Sequence, residues 1–181
     1  MTSSRGLLHL GAWIALAAAT HLALVWALPR VVMQRVLRVA AAEAEAGGGV
    51  LLPPPTDHQQ RRIVMPSPDL MYALCVFDLR RGAQRVQFDG SWPHYWSIAL
   101  YASQTDNFFV LNDGAAGGRP VDLLLMPPGD APPPASSLPP GARVVQAPTE
   151  RGLVLLRLLL SDVDAERASA ESVRRRLRCL S

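Results

Sequence analysis

The feature that most constrains this chain is a run of 23 residues, from Gly6 to Leu28, that contains no Asp, Glu, Lys or Arg. As an α-helix the run would be about 34 Å long, slightly more than the hydrocarbon core of a bilayer. Trp13 and Trp26 lie near its two ends, where indole rings favour the membrane interface. The sequence therefore predicts a transmembrane anchor over residues 1–29.

A cleaved signal peptide is the alternative interpretation of the same run. Ala17, Ala18 and Ala19 are small residues of the kind found at a cleavage site. The apolar run nevertheless continues to Leu28, which makes it longer than a typical signal core. We therefore expect an uncleaved anchor, although the sequence leaves cleavage open.

The charges beside the anchor do not by themselves fix its orientation. Arg5 lies on one side and Arg30, Arg35 and Arg38 on the other, so a simple count would place the C-terminal part in the cytoplasm. The very short N-terminal tail, however, is typical of a signal anchor, and a disulfide in the C-terminal part would need an oxidising compartment. We therefore predict a periplasmic or exoplasmic domain.

Two features of the anchor point to a partner inside the membrane. Small residues recur every four positions, a pattern that lets two helix backbones approach closely: Gly11, Ala15, Ala19, Ala23 and Ala27. An alanine-rich composition would produce the same pattern without any partner. His21, roughly opposite Ala19, is an ionisable residue at membrane depth and therefore a candidate functional residue. Its ordinary alternative is a neutral histidine hydrogen-bonded to a neighbouring helix or a headgroup.

Residues 30–62 are predicted to form a spacer. Pro29 marks the exit from the bilayer, and Val31 to Ala46 is predicted as a short helix on the membrane surface. Gly47 to Gly49 then ends that helix, and Pro53 to Pro55 forces an extended backbone. We expect this segment to lift a folded domain away from the lipid.

Residues 63–181 carry the pattern of a β domain. Short apolar or alternating runs separated by turn residues predict strands at Leu70–Leu79, Arg85–Phe88, His94–Tyr101, Phe108–Leu111, Val121–Met126, Val144–Val145 and Gly152–Leu160. The proline-rich segment from Pro127 to Gly141 is predicted as an exposed loop. Ser161 and Asp164 resemble a capping box that opens a helix running to Arg178. This order favours an all-β fold, an antiparallel sandwich or barrel, with an N-terminal transmembrane helix and a C-terminal helix.

The charge of the chain argues against one class of function. The net charge is only +3, and the 18 basic residues are all arginines, scattered along the sequence. A nucleic-acid-binding domain would concentrate such residues in a patch or stripe. We therefore predict no nucleic-acid partner.

Cys75 and Cys179 are the two cysteines of the chain. They lie too far apart for a CxxC redox pair or a zinc knuckle. Either they pair with each other, closing a loop of about 105 residues, or they are two buried thiols. We predict the disulfide, which would tie the C-terminal helix to a central strand.

The densest aromatic cluster lies between residues 92 and 101. Trp96 falls on the predicted core face of its strand, and filling the core is the ordinary role of such residues. Tyr95 and Tyr101 fall on the opposite face. With Trp92 and His94 they form a candidate face for a sugar, an aromatic ligand or a partner protein.

Several segments together resemble a known family: PDLMYALCVFDL, YWSIALY, TDNFFVLND and GLVLLRLLL. They are similar to the bacterial family of unknown function DUF1254, in particular to its short membrane-anchored members. His21, the Leu28-Pro29-Arg30 sequence and the two cysteines also match that pattern. The resemblance implies an all-β domain on the bacterial inner membrane, often encoded beside a second anchored protein of the DUF1214 family. It implies no reaction.

No catalytic motif is evident. Turn carboxylates such as Asp69, Asp78, Asp106 and Asp113 are more commonly local caps than partners of His94 in an acid–base site. No segment resembles GxSxG, HExxH, a P-loop or a dinucleotide fingerprint. We predict a non-enzymatic accessory protein without metal or cofactor, docked to an anchored partner in the membrane. A periplasmic small-ligand or glycan-binding domain is the second hypothesis, and an enzyme with His94 bonded to an aspartate in a cleft is the third.

Overall fold

The computed structural model describes residues 4–46, 49–55 and 66–180 of the chain. It begins with one helix, α1 (Ser4–Ala46), which is 43 residues long and passes through Pro29. The separate helix expected after Pro29 is therefore the second half of α1. A proline inside a helix removes one hydrogen bond, and the burial of the residues that follow it offsets that loss.

The first half of α1 stands clear of the rest of the molecule. Every side chain from Gly6 to Trp26 is exposed. By length and composition this helix can cross a membrane, a criterion that a signal sequence near the N-terminus also meets.

Eight strands and two further helices make up the rest of the described chain. The strands are β1 (Leu70–Asp78), β2 (Gln84–Phe88), β3 (Trp96–Ala102), β4 (Asn107–Asn112), β5 (Val121–Met126), β6 (Arg143–Gln146), β7 (Arg151–Leu159) and β8 (Arg178–Leu180). The helices are α2 (Asp113–Ala116) and α3 (Val163–Arg174). All seven predicted strands are present, whereas β8 and α2 were not predicted.

The strands form two four-stranded sheets. Sheet A has the order β1-β7-β3-β4, and all its neighbours are antiparallel. Sheet B has the order β6-β5-β2-β8, and β5 and β6 run parallel in it. The expectation of a wholly antiparallel fold is therefore wrong at this pair. The proline-rich segment between β5 and β6 provides the long crossover that a parallel pair requires.

Inward-facing residues of both sheets meet in one hydrophobic core, as in a sandwich. Alternate residues of β1 are buried, from Met71 to Phe77, and Val86 of β2 and Leu123 of β5 belong to the same cluster. The ring of Phe88 in sheet B meets that of Trp96 in sheet A edge to face, with centroids 5.2 Å apart. Trp96 thus has the core role predicted for it.

The second half of α1 covers the outer face of sheet A. Its buried residues recur along one stripe, at Met33, Leu37, Ala40 and Ala44. The first three pack against Leu153 of β7 and the half-buried outward residues of β1. After the helix, Leu51 pairs with Leu74 of β1. This part of the predicted spacer therefore belongs to the folded domain, while the rest of it, residues 47–48 and 56–62, lies outside the described residues.

The C-terminal helix differs from prediction at both ends. Asp162, not Ser161, caps α3, because its Oδ1 accepts from the N–H groups of Asp164 and Ala165 at 3.2 and 3.1 Å. The helix ends at Arg174 rather than Arg178. Leu177 is buried in the core, so the chain leaves the helix to bury it and continues as β8.

Candidate functional site

The structure contains the disulfide between Cys75 and Cys179, with their Cα atoms 6.6 Å apart. Cys75 lies in β1, an edge strand of sheet A, and Cys179 lies in β8, an edge strand of sheet B. The bridge therefore joins the two sheets, instead of tying the C-terminal helix to a central strand as we had expected. It holds in place a strand of only three residues.

The predicted residues of the membrane-helix face all lie on the exposed half of α1. Gly11, Ala15, Ala19 and Ala23 follow one another along the helix, and His21 lies on another side of it. The sandwich contacts none of them, since every side chain from Gly6 to Trp26 is exposed. A role for this surface in binding a partner stays a prediction.

The predicted aromatic face is divided in the structure. Trp92 is only 7% exposed, and its Nε1 donates to the carbonyl of Leu159 at 2.8 Å. Tyr95 is exposed, whereas Tyr101 is half-buried in the cluster beneath α1. The Tyr101 hydroxyl accepts a hydrogen bond from Nη2 of Arg157 at 2.6 Å. These residues therefore form separate surfaces rather than one platform.

His94 has a carboxylate partner, but it is Glu166 rather than an aspartate. The His94 Nε2 lies 2.6 Å from Oε1 of Glu166, and the other oxygen of Glu166 accepts from the Ser161 N–H at 2.8 Å. Burial works against the carboxylate, but the hydrogen bonds from Ser161 and His94 lower the pKa of Glu166. The pair joins the start of β3 to the start of α3, which is a structural role.

Asp78 lies at the other end of sheet A from His94. Hydrogen bonds from Arg80, aided by its charge and that of Arg151, lower the pKa of Asp78 to about 2. Asp113 begins α2 and Asp69 accepts from Leu160 through its backbone. The His–Asp site considered from sequence is not assembled, and within the described residues no three His, Cys, Asp or Glu side chains could together hold a metal ion.

A cluster of charged residues lines an open groove of about 820 Å³, where β2 ends and β5 begins. Its lining includes five arginines, which are Arg119, Arg143, Arg175, Arg176 and Arg178, and two aspartates, which are Asp89 and Asp122. We call this the arginine groove. The lining also includes Phe88, Val121 and Leu123, which are buried core residues, 2%, 4% and 0% exposed.

Four separate segments supply these arginines. Arg119 precedes β5, directly after Gly117 and Gly118, whose φ angles of 59° and 73° are left-handed and favour glycine. Arg143 opens β6, Arg175 and Arg176 follow α3, and Arg178 opens β8. Because the segments meet only through the pairing of sheet B, the sequence spacing gave no signal of the groove beyond the arginine-rich run at its C-terminal end.

Both aspartates of the groove are already neutralised. Asp89 accepts from Nη1 of Arg176 at 2.8 Å. Burial of Asp89 works against its charge, but the hydrogen bonds from Arg176 and Ser91 lower its pKa. Asp122 accepts from Nε of Arg85 at 3.2 Å, and their terminal atoms form a second contact.

Three arginines of the groove remain uncommitted. Arg119 uses only its Nε, which donates to the carbonyl of Ala116 at 3.2 Å. The side chains of Arg143 and Arg178 are exposed and make no hydrogen bond or ion pair with any residue that the structure describes. Arg175, by contrast, pairs with Glu171 at 2.5 Å. The groove therefore presents guanidinium groups that are free to bind an anion.

Neighbouring arginines are used differently. Arg174, although it is in the same run, is 3% exposed. Its Nη1 donates to the carbonyls of Pro53 and Tyr72 at 2.6 and 2.8 Å, and Glu171 pairs with its guanidinium. This arginine is therefore a structural link between α3, β1 and the segment after α1.

A second, smaller cavity of about 340 Å³ lies between α1 and the sandwich. Gln34, Leu37 and Arg38 line it from the helix, with Ser103 and Arg151 on the strand side. Arg151 opens β7 at the end of sheet A opposite the start of β3. Phe88 in the lining of the arginine groove contacts Trp96, at the start of β3. The groove therefore lies at the end of the sandwich opposite Arg151 and this cavity.

Comparison with protein families finds a match to the family described as "Protein of unknown function (DUF1254)", over residues 50–181. No curated protein matches the chain.

Among solved structures, the VPA0106 protein from Vibrio parahaemolyticus is similar, with a TM-score of 0.60 and 9% sequence identity over 88% of this chain. An uncharacterized protein from Burkholderia cenocepacia has a TM-score of 0.44 and 17% identity over 72% of this chain. This chain spans about a third of the length of both, since it covers 36% of each. The first likeness shows a shared fold only.

Proposed function

We propose that this chain, which belongs to the DUF1254 family of proteins of unknown function, is a membrane-tethered interaction protein. The observation that carries the proposal is the continuity of α1. One half of this helix is apolar and exposed, while the other half is buried against sheet A at Met33, Leu37 and Ala40. A helix that crosses the membrane would therefore also hold the sandwich in a fixed position.

The geometry supports a sandwich that lies directly at the membrane surface. Met33, the first buried residue, lies five positions after Leu28, the end of the uncharged run, a rise of about 7.5 Å along a helix. The Arg30 guanidinium stacks 4.2 Å above the ring centroid of Trp26. Such a pair suits the membrane interface, where the indole lies among headgroups and the arginine reaches lipid phosphate.

The partner we propose is a second membrane-anchored protein that packs on the small-residue face of α1. Gly11, Ala15, Ala19 and Ala23 would let another helix approach closely, and this side of α1 is free of contacts with the sandwich. The resemblance to short anchored members of the family makes a DUF1214 protein the first candidate.

Co-purification of the tagged full chain from its own host in mild non-ionic detergent tests this proposal. We expect a complex with a second membrane-anchored protein that survives size-exclusion chromatography. Ala19→Leu should disrupt it, because a large side chain separates the two backbones. Ala17→Leu is the matched control, since Ala17 lies about 160° around the helix from Ala19. A lone monomer, or equal loss in both variants, would contradict the proposal.

We also propose that the sandwich faces the periplasm of a bacterial cell. The disulfide between Cys75 and Cys179 supports this side, because such bonds persist in oxidising compartments. A C-terminal alkaline phosphatase fusion, active only outside the cytoplasm, is expected to be active. An inactive fusion, with both thiols accessible to alkylation in cells, would place the domain in the cytoplasm.

The role we propose is non-catalytic. His94 and Glu166 are engaged with each other and with the start of α3, which supports a structural use of the one His–carboxylate pair in the predicted face. A glycan platform finds no support in the two cavities, since the lining of neither includes Tyr95 or Tyr101.

A further inference from the structure

We infer that the arginine groove binds a small polyanion, a ligand that carries three or more negative charges on phosphate or carboxylate groups. Nothing in this inference depends on the proposed membrane partner, because the groove lies at the end of the sandwich away from the helix-side cavity.

The balance of charge in the groove is the first argument. Five arginines less two aspartates leave a net charge of three in its lining, which equals the formal net charge of the whole chain, +3. The rest of the molecule is therefore neutral overall. An anion is therefore attracted to the groove more strongly than to the rest of the surface, which is neutral on average.

The ion pairs inside the groove are the second argument. Asp89 and Asp122 are held by Arg176 and Arg85, so an incoming anion meets no bare carboxylate. The charges that remain are those of Arg119, Arg143 and Arg178. A trivalent anion would neutralise these three groups, and guanidinium forms bidentate hydrogen bonds with phosphate and carboxylate oxygens.

The spacing of the two unpaired arginines is the third argument. Arg178 pairs with Gln87 in β2, Gln87 pairs with Asp122 in β5, and the next residue of β5, Leu123, pairs with Arg143. Arg178 and Arg143 thus belong to the two edge strands of sheet B, three strand spacings or about 14 Å apart at the backbone. Arg178 lies on the outer face of the sheet with Gln87 and Asp122, whereas Arg143 lies on the face of Leu123. Because both line the groove, a ligand that contacts both must span the end of the sheet, and a single monovalent ion is too small to do so.

The size of the groove agrees with a small molecule. Its volume of about 820 Å³ lies within the range that ligand sites in proteins occupy.

The frame of the groove is held rigidly. Arg178 is adjacent to Cys179, whose disulfide ties β8 to sheet A. Arg119 is held at its backbone, since its N–H donates to the carbonyl of Ala116 at 3.2 Å. A preorganised site loses less conformational entropy when its ligand binds.

Calorimetric titration of the full chain in non-ionic detergent tests the inference, at low salt and without phosphate buffer. Three probes separate the chemistries: tripolyphosphate, citrate and inorganic phosphate. We expect saturable one-to-one binding of tripolyphosphate, citrate or both, at least about tenfold tighter than that of inorganic phosphate. Binding of only one of the two assigns the site to phosphate or to carboxylate groups.

The variant Arg143→Gln with Arg178→Gln should weaken the probe that binds by about tenfold for each guanidinium removed. Neither side chain has a partner among the described residues, so unfolding curves should not change. Arg81→Gln with Arg167→Gln is the matched control, because it removes two exposed charges outside the groove lining and should alter affinity less than twofold. Absence of saturable binding to all probes, or equal loss in both double variants, would overturn the inference.

Discussion

The outer faces of the two sheets differ in what covers them. The outer face of sheet A is apolar, with Leu74, Val76 and Leu153 beneath the second half of α1. The outer face of sheet B carries Arg85, Asp122 and Arg178, and its charged groups border the arginine groove. The difference shows that α1 completes the fold on one side, while the other side is left polar and available for a ligand.

The largest expected loss of stability comes from adding a side chain to sheet A at Gly152, where neighbouring atoms leave no room for it. A Cβ on Gly152 would lie 2.2 Å from the carbonyl oxygen of Tyr101 and 2.3 Å from Cζ of Phe77. Because backbone and a buried ring cannot both move aside, Gly152→Ala should cost about 4 kcal/mol or prevent folding. Gly114→Ala is the control, since its nearest neighbour would be 3.6 Å away. Urea unfolding measures both, and equal stabilities would contradict the packing of sheet A.

Removal of the disulfide tests whether the stability of each sheet depends on its link to the other. Replacement of Cys75 and Cys179 by alanine should cost about 2–5 kcal/mol, because the bridge closes a loop across 104 positions. The three-residue β8 should become labile, and its amide protons should exchange faster than those of β2. Protection of β8 unchanged from the wild type would show that strand pairing alone holds it.

Removal of the cover from sheet A should have a smaller effect. Leu37 is 2% exposed under α1, so Leu37→Ala should cost about 2–3 kcal/mol. Val39 is 47% exposed on the same helix, and Val39→Ala should cost less than about 0.5 kcal/mol. Equal effects of the two changes would mean that the second half of α1 is not part of the folded domain.

The smallest expected effect is on the acid stability of the end of sheet A. The pKa of Asp78 is lowered to about 2, below its usual 3.8, so the folded state favours the carboxylate. This contribution is complete above about pH 4 and is lost as the pH falls towards 2. Asp78→Asn should therefore flatten the stability curve in this window, as measured by urea unfolding at several pH values. An unchanged slope would show that the ion pair with Arg80 contributes nothing.

The predictable part of the fold was the strands, because alternation of polar and apolar residues reports which face of a strand is buried. The parallel pairing of β6 with β5 was not predictable, since the periodicity of a strand does not show which strand it pairs with. Nor was β8, because its three residues follow a helical pattern and become a strand through burial of Leu177 and the bridge of Cys179.

The candidate site was less predictable than the fold. Trp92 and Tyr101 belong to one aromatic cluster in sequence, but the structure places Trp92 against Leu159 and Tyr101 beneath α1. Residues close in a strand pattern share a face only when the same layer covers that face. The arginines of the groove show the converse, since residues distant along the chain meet when their strands pair.

The sequence alone determined that this chain has an apolar helix of membrane length, a β-rich domain and a family, because composition and periodicity carry those properties directly. Only the tertiary structure decided that the same helix continues onto sheet A, that the disulfide joins two sheets and that the arginines from residues 119 to 178 line one groove. Those features depend on contacts between distant segments, and the pairing of strands and the burial of apolar faces select them together.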